Sequence, residues 1–140
     1  MPKALDTNIV VRLFVDDGSK EVPIARAVFE RETVEIPLSV ILECEWVLRS
    51  AYKFTPASIC EALTALLSLE TVIVQDPDLV IAAIEAHRLG VDFADAFHLL
   101  SAEKSDELLT FDDDFEKRAK RMKYIVPVRI PQLTTRERYP

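Results

Sequence analysis

The sequence predicts an α/β fold built around a mainly parallel sheet. Short apolar runs alternate with amphipathic stretches along the chain, and one or two predicted helices separate each run from the next, which excludes tight hairpins. The runs are also apolar enough to be buried on both faces, as strands of parallel sheets are. Because the 140 residues include two glycines and show no linker or internal repeat, we predict one domain over residues 1–140.

The N-terminal half is predicted to hold two strands and four helices. Thr7 or Asn8 is placed to cap the first helix, and Pro37 ends the second strand. Thr55 followed by Pro56 provides an N-cap and then proline at the first helical position. The predicted strands are Lys3–Asp6 and Val34–Pro37, and the predicted helices are Asn8–Val15, Val22–Glu32, Ser39–Lys53 and Pro56–Leu69.

The C-terminal half continues the alternation of strand and helix. Asp76 and Pro77 again supply an N-cap and a first-turn proline, and Gly90 ends the helix that they begin. Such alternation is typical of βα units in a parallel sheet. The predicted strands are Thr71–Gln75, Leu108–Phe111 and Tyr124–Ile130, and the predicted helices are Pro77–Gly90, Asp92–Lys104 and Asp112–Met122.

Charge is distributed unevenly along the chain. The formal net charge is −7; residues 1–115 carry 9 basic and 22 acidic side chains, whereas residues 116–140 carry 8 basic and 2 acidic ones. An acidic body argues against nonspecific binding of polyanions, because Lys and Arg drive that association. Carboxylates grouped around cations would reconcile this charge with a phosphate-containing substrate.

Membrane and secretory classes are not expected. No apolar run reaches the roughly 18 residues of a membrane span, because charged residues such as Arg12 and Glu43 interrupt the candidates. The first residues lack the apolar core of a signal peptide. Cys44 and Cys60 lie in helical patterns and are interpreted as small apolar side chains, which suits a reducing compartment. We therefore expect a cytoplasmic protein.

Several acids are expected beyond the carboxyl ends of the predicted strands, where α/β sheets gather function. Asp6 ends the first strand, and Asp112 follows the strand that ends at Phe111. Glu43 and Asp95 lie in the first turns of helices, and Asp92 shares a helix face with Asp95. Taken singly, Asp6 is also compatible with a turn, and Asp92 and Asp112 with helix caps.

Glu43 is expected to be buried, because apolar residues surround it in the sequence. An unpaired carboxylate in a core is strongly destabilising, and converging carboxylates repel one another. A divalent cation relieves both effects. Oxygen ligands favour Mg²⁺ or Mn²⁺, and the sequence has no Cys/His cluster with the spacing of a zinc site.

Four segments of the chain combine acidic and polar residues with apolar ones: Leu5–Arg12, Ser39–Glu43 with Trp46, Asp92–Ala96 and Leu109–Asp112. Together they resemble the motifs of the PIN-domain nuclease family, and more narrowly those of VapC-type toxins from toxin–antitoxin pairs. The resemblance implies a three-layer α/β/α sandwich and a metal-dependent endoribonuclease that leaves a 5′ phosphate and a 3′ hydroxyl. It also implies a VapB-type antitoxin and a homodimer.

Carried over by position, the acidic quartet of the family falls on four residues, which we predict to be the catalytic and metal-binding set: Asp6, Glu43, Asp95 and Asp112. Thr7, Asn8 and Thr110 match the polar residues that accompany the quartet and are able to orient a carboxylate or a water. Asp92 is a possible accessory ligand. Asp114 is another, because three consecutive aspartates leave the register ambiguous.

Other polar and aromatic residues have less specific interpretations. His98 is expected to be packed or hydrogen-bonded rather than to act as a ligand or acid, and His87 to lie at the surface or near a helix C-terminus. Trp46, Phe97, Phe111 and Phe115 are interpreted as core residues rather than base-stacking platforms. Arg12 is a candidate to contact the RNA backbone. A C-terminal basic cluster is compatible with phosphate contact and with a solvated helix face: Lys117, Arg118, Lys120, Arg121 and Lys123.

Two other classes of function stay open at this point. The first is a phosphatase with Asp6 as nucleophile, although such sites usually carry a second acid two residues later, where this chain has Asn8. The second is a PIN-like scaffold that binds protein or RNA without catalysis. Such a scaffold would normally lack an acid of the quartet, and none is missing here.

Overall fold

A computed structural model describes residues 1–121 and 126–138 of the chain. Its strands are β1 (Lys3–Ala4), β2 (Val34–Ile36), β3 (Val72–Val74), β4 (Leu108–Leu109) and β5 (Val128–Arg129). Its helices are α1 (Thr7–Val11), α2 (Glu21–Arg31), α3 (Leu38–Ser50), α4 (Pro56–Leu67), α5 (Pro77–Arg88), α6 (Phe93–Ser101), α7 (Asp113–Arg121) and α8 (Thr135–Arg138).

The strands form two parallel ladders. The first has the order β1-β2-β3, with Lys3 opposite Val34 and Val34 opposite Val72. The second pairs β4 with β5, so that Leu108 lies opposite Val128. The predicted parallel sheet is therefore confirmed, and its combination with helices is consistent with the predicted three-layer α/β/α fold.

Two apolar clusters stabilise the described part of the chain, and α6 contributes to both. The larger cluster packs the first ladder against α1 to α6 and includes Ala96 and Phe97 of α6. The smaller one joins Leu99 of α6 to α7 and β5 through Phe115 and Val128. Burial of Phe97 and Phe115 confirms their predicted core role, and both cysteines are free and buried, as predicted.

Most predicted helix starts are confirmed by their capping bonds. Thr55 Oγ1 accepts from the Ser58 N–H, and Asp76 Oδ1 accepts from the Leu79 N–H. The start of α1 differs from the prediction, because its N-cap is Asp6 rather than Thr7 or Asn8. Asp6 has an extended backbone, and its carboxylate accepts from the Thr7 N–H at 2.7 Å.

Element lengths and the C-terminal segment differ from the prediction in detail. Strands β1 and β4 each contain two residues, and α1 ends at Val11 rather than Val15. The short helix α8 was not predicted. The predicted helix Asp112–Met122 and the predicted strand Tyr124–Ile130 include some of residues 122–125, which lie outside the described part of the chain. Among the helices that the structure does describe, none has the length and apolar character needed to cross a membrane.

Of the two positions predicted for His87, the surface is wrong and the end of a helix is confirmed, because His87 lies in the last turn of α5. Its ring is buried, lies edge-on to Phe93 at 5.6 Å between centroids, and shares a 2.8 Å hydrogen bond between Nδ1 and the Val91 carbonyl oxygen. Gly90 makes this possible, because its positive φ of 101° turns the chain back over the end of α5. The second ring nitrogen, Nε2, is buried without a hydrogen-bond partner among the described residues.

Candidate active site

Helix starts position three of the four predicted acids. Asp6 is the N-cap of α1 and lies two residues after the end of β1. Asp95 lies in the first turn of α6. Asp112 follows β4 and accepts from the Phe115 N–H at the start of α7. The partial positive charge of a helix N-terminus favours a carboxylate at each of these places.

Asp6 and Glu43 border one cavity of about 220 Å³, together with Thr7 and Asn8. Thr7 is buried, whereas Asn8 is exposed. Cys44 lies next to this pair of acids: burial foremost, and then the charges of Glu43 and Asp6, raise the pKa of its thiol to about 12. A thiolate ligand is therefore disfavoured here, and the donors at this cavity are oxygen atoms.

Asp95 forms the second acidic group, with Asp92 and Asp112. The Asp95 N–H donates to Asp92 Oδ2 at 3.2 Å, so Asp92 is the N-cap of α6. Burial, followed by the negative charges of Asp92 and Asp112, raises the pKa of the Asp95 carboxyl. Thr110 accepts from the Asp112 N–H at 3.0 Å and borders a cavity of about 490 Å³ with Asp95. The hydroxyl thus orients the backbone that carries Asp112.

Glu43 connects the two groups. It also borders a third cavity, of about 340 Å³, which Asp92 and Ala94 at the start of α6 also line. Shared cavities and the hydrogen bond between Asp92 and Asp95 therefore link the carboxylates into one acidic path. In order along this path they are Asp6, Glu43, Asp92, Asp95 and Asp112.

The donor set along this path suits a hard divalent cation, because every member is a carboxylate. Within the described residues, however, no three His, Cys, Asp or Glu side chains are gathered closely enough to hold one ion. Capping bonds hold part of the donor set at the helix starts, because Asp6, Asp92 and Asp112 each use one oxygen to accept a backbone N–H.

Comparison with known protein families matches residues 3–121 to the PIN domain. The chain belongs to the PIN domain family. PIN domains are generally metal-dependent nucleases that act on RNA or DNA. No curated protein matches the chain in sequence.

The predicted burial of Glu43 in this PIN domain is wrong. Glu43 is exposed, and the buried glutamate of α3 is Glu45, whose carboxylate pairs with Arg49. The helical periodicity explains why Glu45 is buried and Glu43 is not. The buried residues of α3 recur at intervals of three and four: Ile41, Cys44, Glu45 and Leu48. Sequence analysis missed Glu45, although this periodicity and the acid–base spacing of four residues were signals for it.

Two of the four aromatic side chains that were predicted to be buried are exposed. Trp46 and Phe111, both expected in the core, are 57% and 85% exposed. Trp46 follows Glu43 by one helical turn, and Phe111 immediately precedes Asp112. Trp46 borders the cavity of Glu43 and Asp92 in this PIN domain, and Phe111 is a surface residue.

His98 is exposed, so its predicted packed position is also wrong. It borders the same cavity as Asp95, and its charge opposes, as a minor effect, the rise in the Asp95 pKa. Asp114, the alternative to Asp112, is exposed in the first turn of α7. It accepts no helix-capping bond among the described residues, unlike Asp112.

The basic residues of the PIN domain fall into two settings. The guanidinium of Arg12 donates to the Asn8 carbonyl and pairs with Glu21 at 2.8 Å, so acids of this chain engage it. Lys120 pairs with Glu116 on α7. The remaining members of the described cluster are exposed on α7: Lys117, Arg118 and Arg121. Lys123 lies outside the described residues.

Proposed function

We propose that this PIN domain is a Mg²⁺- or Mn²⁺-dependent endoribonuclease. Four carboxylates would supply the metal ligands in two groups, Asp6 with Glu43 and Asp95 with Asp112. The grouping of the acids is the observation that carries the proposal: Asp6 and Glu43 border one cavity, Glu43 and Asp92 border the next, and Asp92 accepts from the Asp95 N–H. Acids that line cavities in this way are typical of functional sites.

The bound cation would supply the chemistry of the cleavage, and the neighbouring side chains would position its ligands. When bound, the cation supplies a water of lowered pKa and neutralises charge that develops on the phosphate. Asp92 orients the first turn of α6 and so places Asp95. Thr110 orients the backbone of Asp112 in the same way. Thr7 and Asn8 are adjacent to Asp6 in its cavity and are suited to position the scissile phosphate or a water.

The decisive variants are Asp6→Asn and Asp112→Asn, because asparagine also accepts a capping hydrogen bond. Each should lower the rate of RNA cleavage by at least roughly a hundredfold, while the circular dichroism spectrum stays that of the parent. Glu61→Gln, which changes an exposed acid on α4, serves as the control and should retain activity. Full activity in Asp6→Asn would contradict the site.

Metal dependence is tested independently of any variant. Mg²⁺ or Mn²⁺ should activate cleavage, whereas Ca²⁺ should not, since its larger radius and looser coordination misplace the attacking water. Excess chelator should abolish activity. Undiminished cleavage in chelator would exclude the metal mechanism, and a trapped aspartyl-phosphate on Asp6 would instead favour the phosphatase alternative.

We further propose that the chain is the toxin of a VapBC-type pair and forms a homodimer. The motif resemblance supports the toxin role. Exposed apolar residues on α2 support a protein partner: Ile24 lies at the surface beside a cavity of about 420 Å³ that Pro23, Ala27 and Val28 also border. A small DNA-binding protein encoded by the neighbouring gene should copurify with the chain.

Light scattering tests the homodimer, and a monomer across micromolar concentrations would contradict it.

One domain over residues 1–140 also remains a proposal. Pairing of β5 with β4 supports it, because β5 lies beyond the segment that matches the family.

A further inference from the structure

Trp46 is an exposed aromatic residue in a cavity that also contains two acids of the candidate site. Its neighbours there include Glu43 and Asp92. A large apolar ring at the surface exposes area that water solvates poorly, so it is stabilised when a ligand covers it. At about 340 Å³ the cavity falls within the size range of small-ligand sites.

Arg49 places a positive charge in the same cavity, beside the ring. Its Nε donates to Glu45 Oε1 at 2.9 Å, and its Nη2 lies 3.5 Å from Glu45 Oε2. Glu45 is buried beneath it, whereas the Arg49 side chain is 46% exposed. The ion pair therefore fixes the plane of the guanidinium, and it leaves Nη1 without a hydrogen bond to any residue that the structure describes.

Trp46 and Arg49 are three residues apart on α3, which places their side chains next to each other on one face of the helix. Stacking on an aromatic ring and hydrogen bonds from a guanidinium are the two contacts by which proteins hold unpaired nucleotides. We propose that Trp46 and Arg49 form a nucleotide-binding subsite of the candidate nuclease, in which Trp46 stacks on an unpaired base and Arg49 binds an adjacent phosphate.

This subsite rests on the proposed nuclease function and narrows its substrate to single-stranded nucleic acid. A base inside a duplex has both faces covered by its neighbours, so it has no face to offer to Trp46. A protein partner is less compatible with the lining of the cavity. Trp and Arg are enriched at protein interfaces, but Asp and Glu are depleted there, and three residues that line this cavity are acidic: Glu43, Glu45 and Asp92.

The experiment uses the intrinsic fluorescence of the chain, because Trp46 is the single tryptophan. The probe is an unstructured oligonucleotide that is 2′-O-methylated throughout and therefore resists cleavage, titrated in Mg²⁺ buffer. The matched ligand is an abasic strand of the same length and charge. We expect the oligonucleotide with bases to quench Trp46 in a saturable manner, and the abasic strand to leave the fluorescence unchanged.

Cleavage kinetics on unstructured RNA provide the second readout. Trp46→Leu should raise KM roughly tenfold or more with little change in kcat, and Trp46→Tyr, which keeps an aromatic face, should restore most of the affinity. Arg49→Lys keeps a positive charge for Glu45 but loses the planar donor array, so its KM should also rise. Ile81→Ala removes an exposed apolar side chain on α5 and is the control, with kinetic constants of the parent.

The outcomes separate the subsite from the nuclease. Cleavage by the parent chain without quenching, and with an unchanged KM in Trp46→Leu, would overturn the subsite and leave the nuclease intact. Saturable quenching in a chain that cleaves no RNA would support the subsite and overturn the proposed activity. A shift from dimer to monomer in Trp46→Leu, with KM unchanged, would assign this surface to a second copy of the chain and overturn the inference.

Discussion

Glu43 and Glu45 are separated by one residue on α3 and lie in opposite environments. The Glu43 carboxylate borders two cavities at the surface, whereas Glu45 is 4% exposed and is neutralised by the guanidinium of Arg49. The helix thus presents one glutamate to the site and holds a second beneath it. The fixed pair below also contributes to the shape of the cavity in which Glu43 lies.

Arg49→Ala should destabilise the fold, because it leaves the buried Glu45 carboxylate without a counter-charge. We expect the free energy of unfolding to fall by about 2–3 kcal/mol, less than for a fully buried pair because Arg49 is partly solvated. Urea denaturation followed by far-ultraviolet circular dichroism measures the change. Arg88→Ala is the matched control: its partner Glu85 is exposed, and its loss should change stability by about 0.5 kcal/mol or less.

Rescue distinguishes the charge effect from lost packing. Glu45→Gln combined with Arg49→Ala should recover part of the lost stability, because the buried side chain is then neutral. A double variant as unstable as Arg49→Ala would show that the alkyl stem of the arginine, rather than its charge, stabilises α3.

Asp95→Asn should preserve or raise stability at neutral pH in the absence of metal. Burial and then the charges of Asp92 and Asp112 raise the pKa of Asp95, so its ionisation is less favourable in the folded chain than in the unfolded one. This penalty is absent well below pH 3.8, the ordinary value for aspartate, and is complete above the folded-state pKa. The gain in Tm over the parent should therefore appear as pH rises through this window.

Thermal melts of the parent and of Asp95→Asn between pH 3 and pH 7, in chelator, measure this difference. Glu61→Gln, at an exposed position on α4, should show no such trend. A parent that becomes more stable relative to Asp95→Asn as pH rises would show that ionised Asp95 stabilises the fold, and would remove the strained-carboxylate argument for the site.

Neither cysteine should react with a thiol reagent while the chain is folded. Burial foremost raises the pKa of Cys44 to about 12, and burial also raises that of Cys60. Since the thiolate is the reactive species, modification at pH 8 requires unfolding. Ellman's reagent should release two equivalents in denaturant and almost none without it. Rapid release of one equivalent from the folded chain would place a thiol at the surface.

The two histidines should differ sharply in their effect on stability. His87→Ala removes a buried ring from its contact with Phe93 and leaves the Val91 carbonyl without its donor, and should lower the unfolding free energy by about 2–3 kcal/mol. His98→Ala, at an exposed position, should change it by about 0.5 kcal/mol or less. Equal effects would contradict the different environments of the two rings.

Sequence patterns were sufficient for the order of elements and for the parallel sheet, because capping residues, prolines and apolar runs act locally. They were insufficient for the environments of Glu43, Trp46 and His87. A helix such as α3 is apolar over most of its circumference, so composition alone does not reveal which side meets the core, and the exposed ring of Trp46 was interpreted as buried. His87 depended on the chain turning back at Gly90, which is a tertiary contact rather than a local one.

The acids of the candidate site also show which features the sequence could predict and which it could not. The positions of Asp6, Asp95 and Asp112 at helix starts followed from spacing, and Asp92 is the cap that its place before α6 predicted. Glu43, expected in the first turn of its helix, lies in the second turn of α3. The separation of these acids did not follow from spacing, because backbone N–H groups at the helix starts hold the oxygens of Asp6 and Asp112. The sequence therefore identified candidates for the site, and the arrangement of those candidates required the structure.

Because α6 belongs to both apolar clusters, the acids of the site are divided between two parts of the fold. These parts differ in the free energy of their local unfolding. Asp6 and Glu43 belong to elements of the large cluster, whereas Asp112 is attached to the small cluster through Phe115. Small clusters open by sub-global fluctuations at a lower free energy than large ones. Amide hydrogens of α7 should therefore exchange before those of α3 and α4, and any ligand that bridges Asp6 and Asp112 should slow exchange in α7 more than anywhere else.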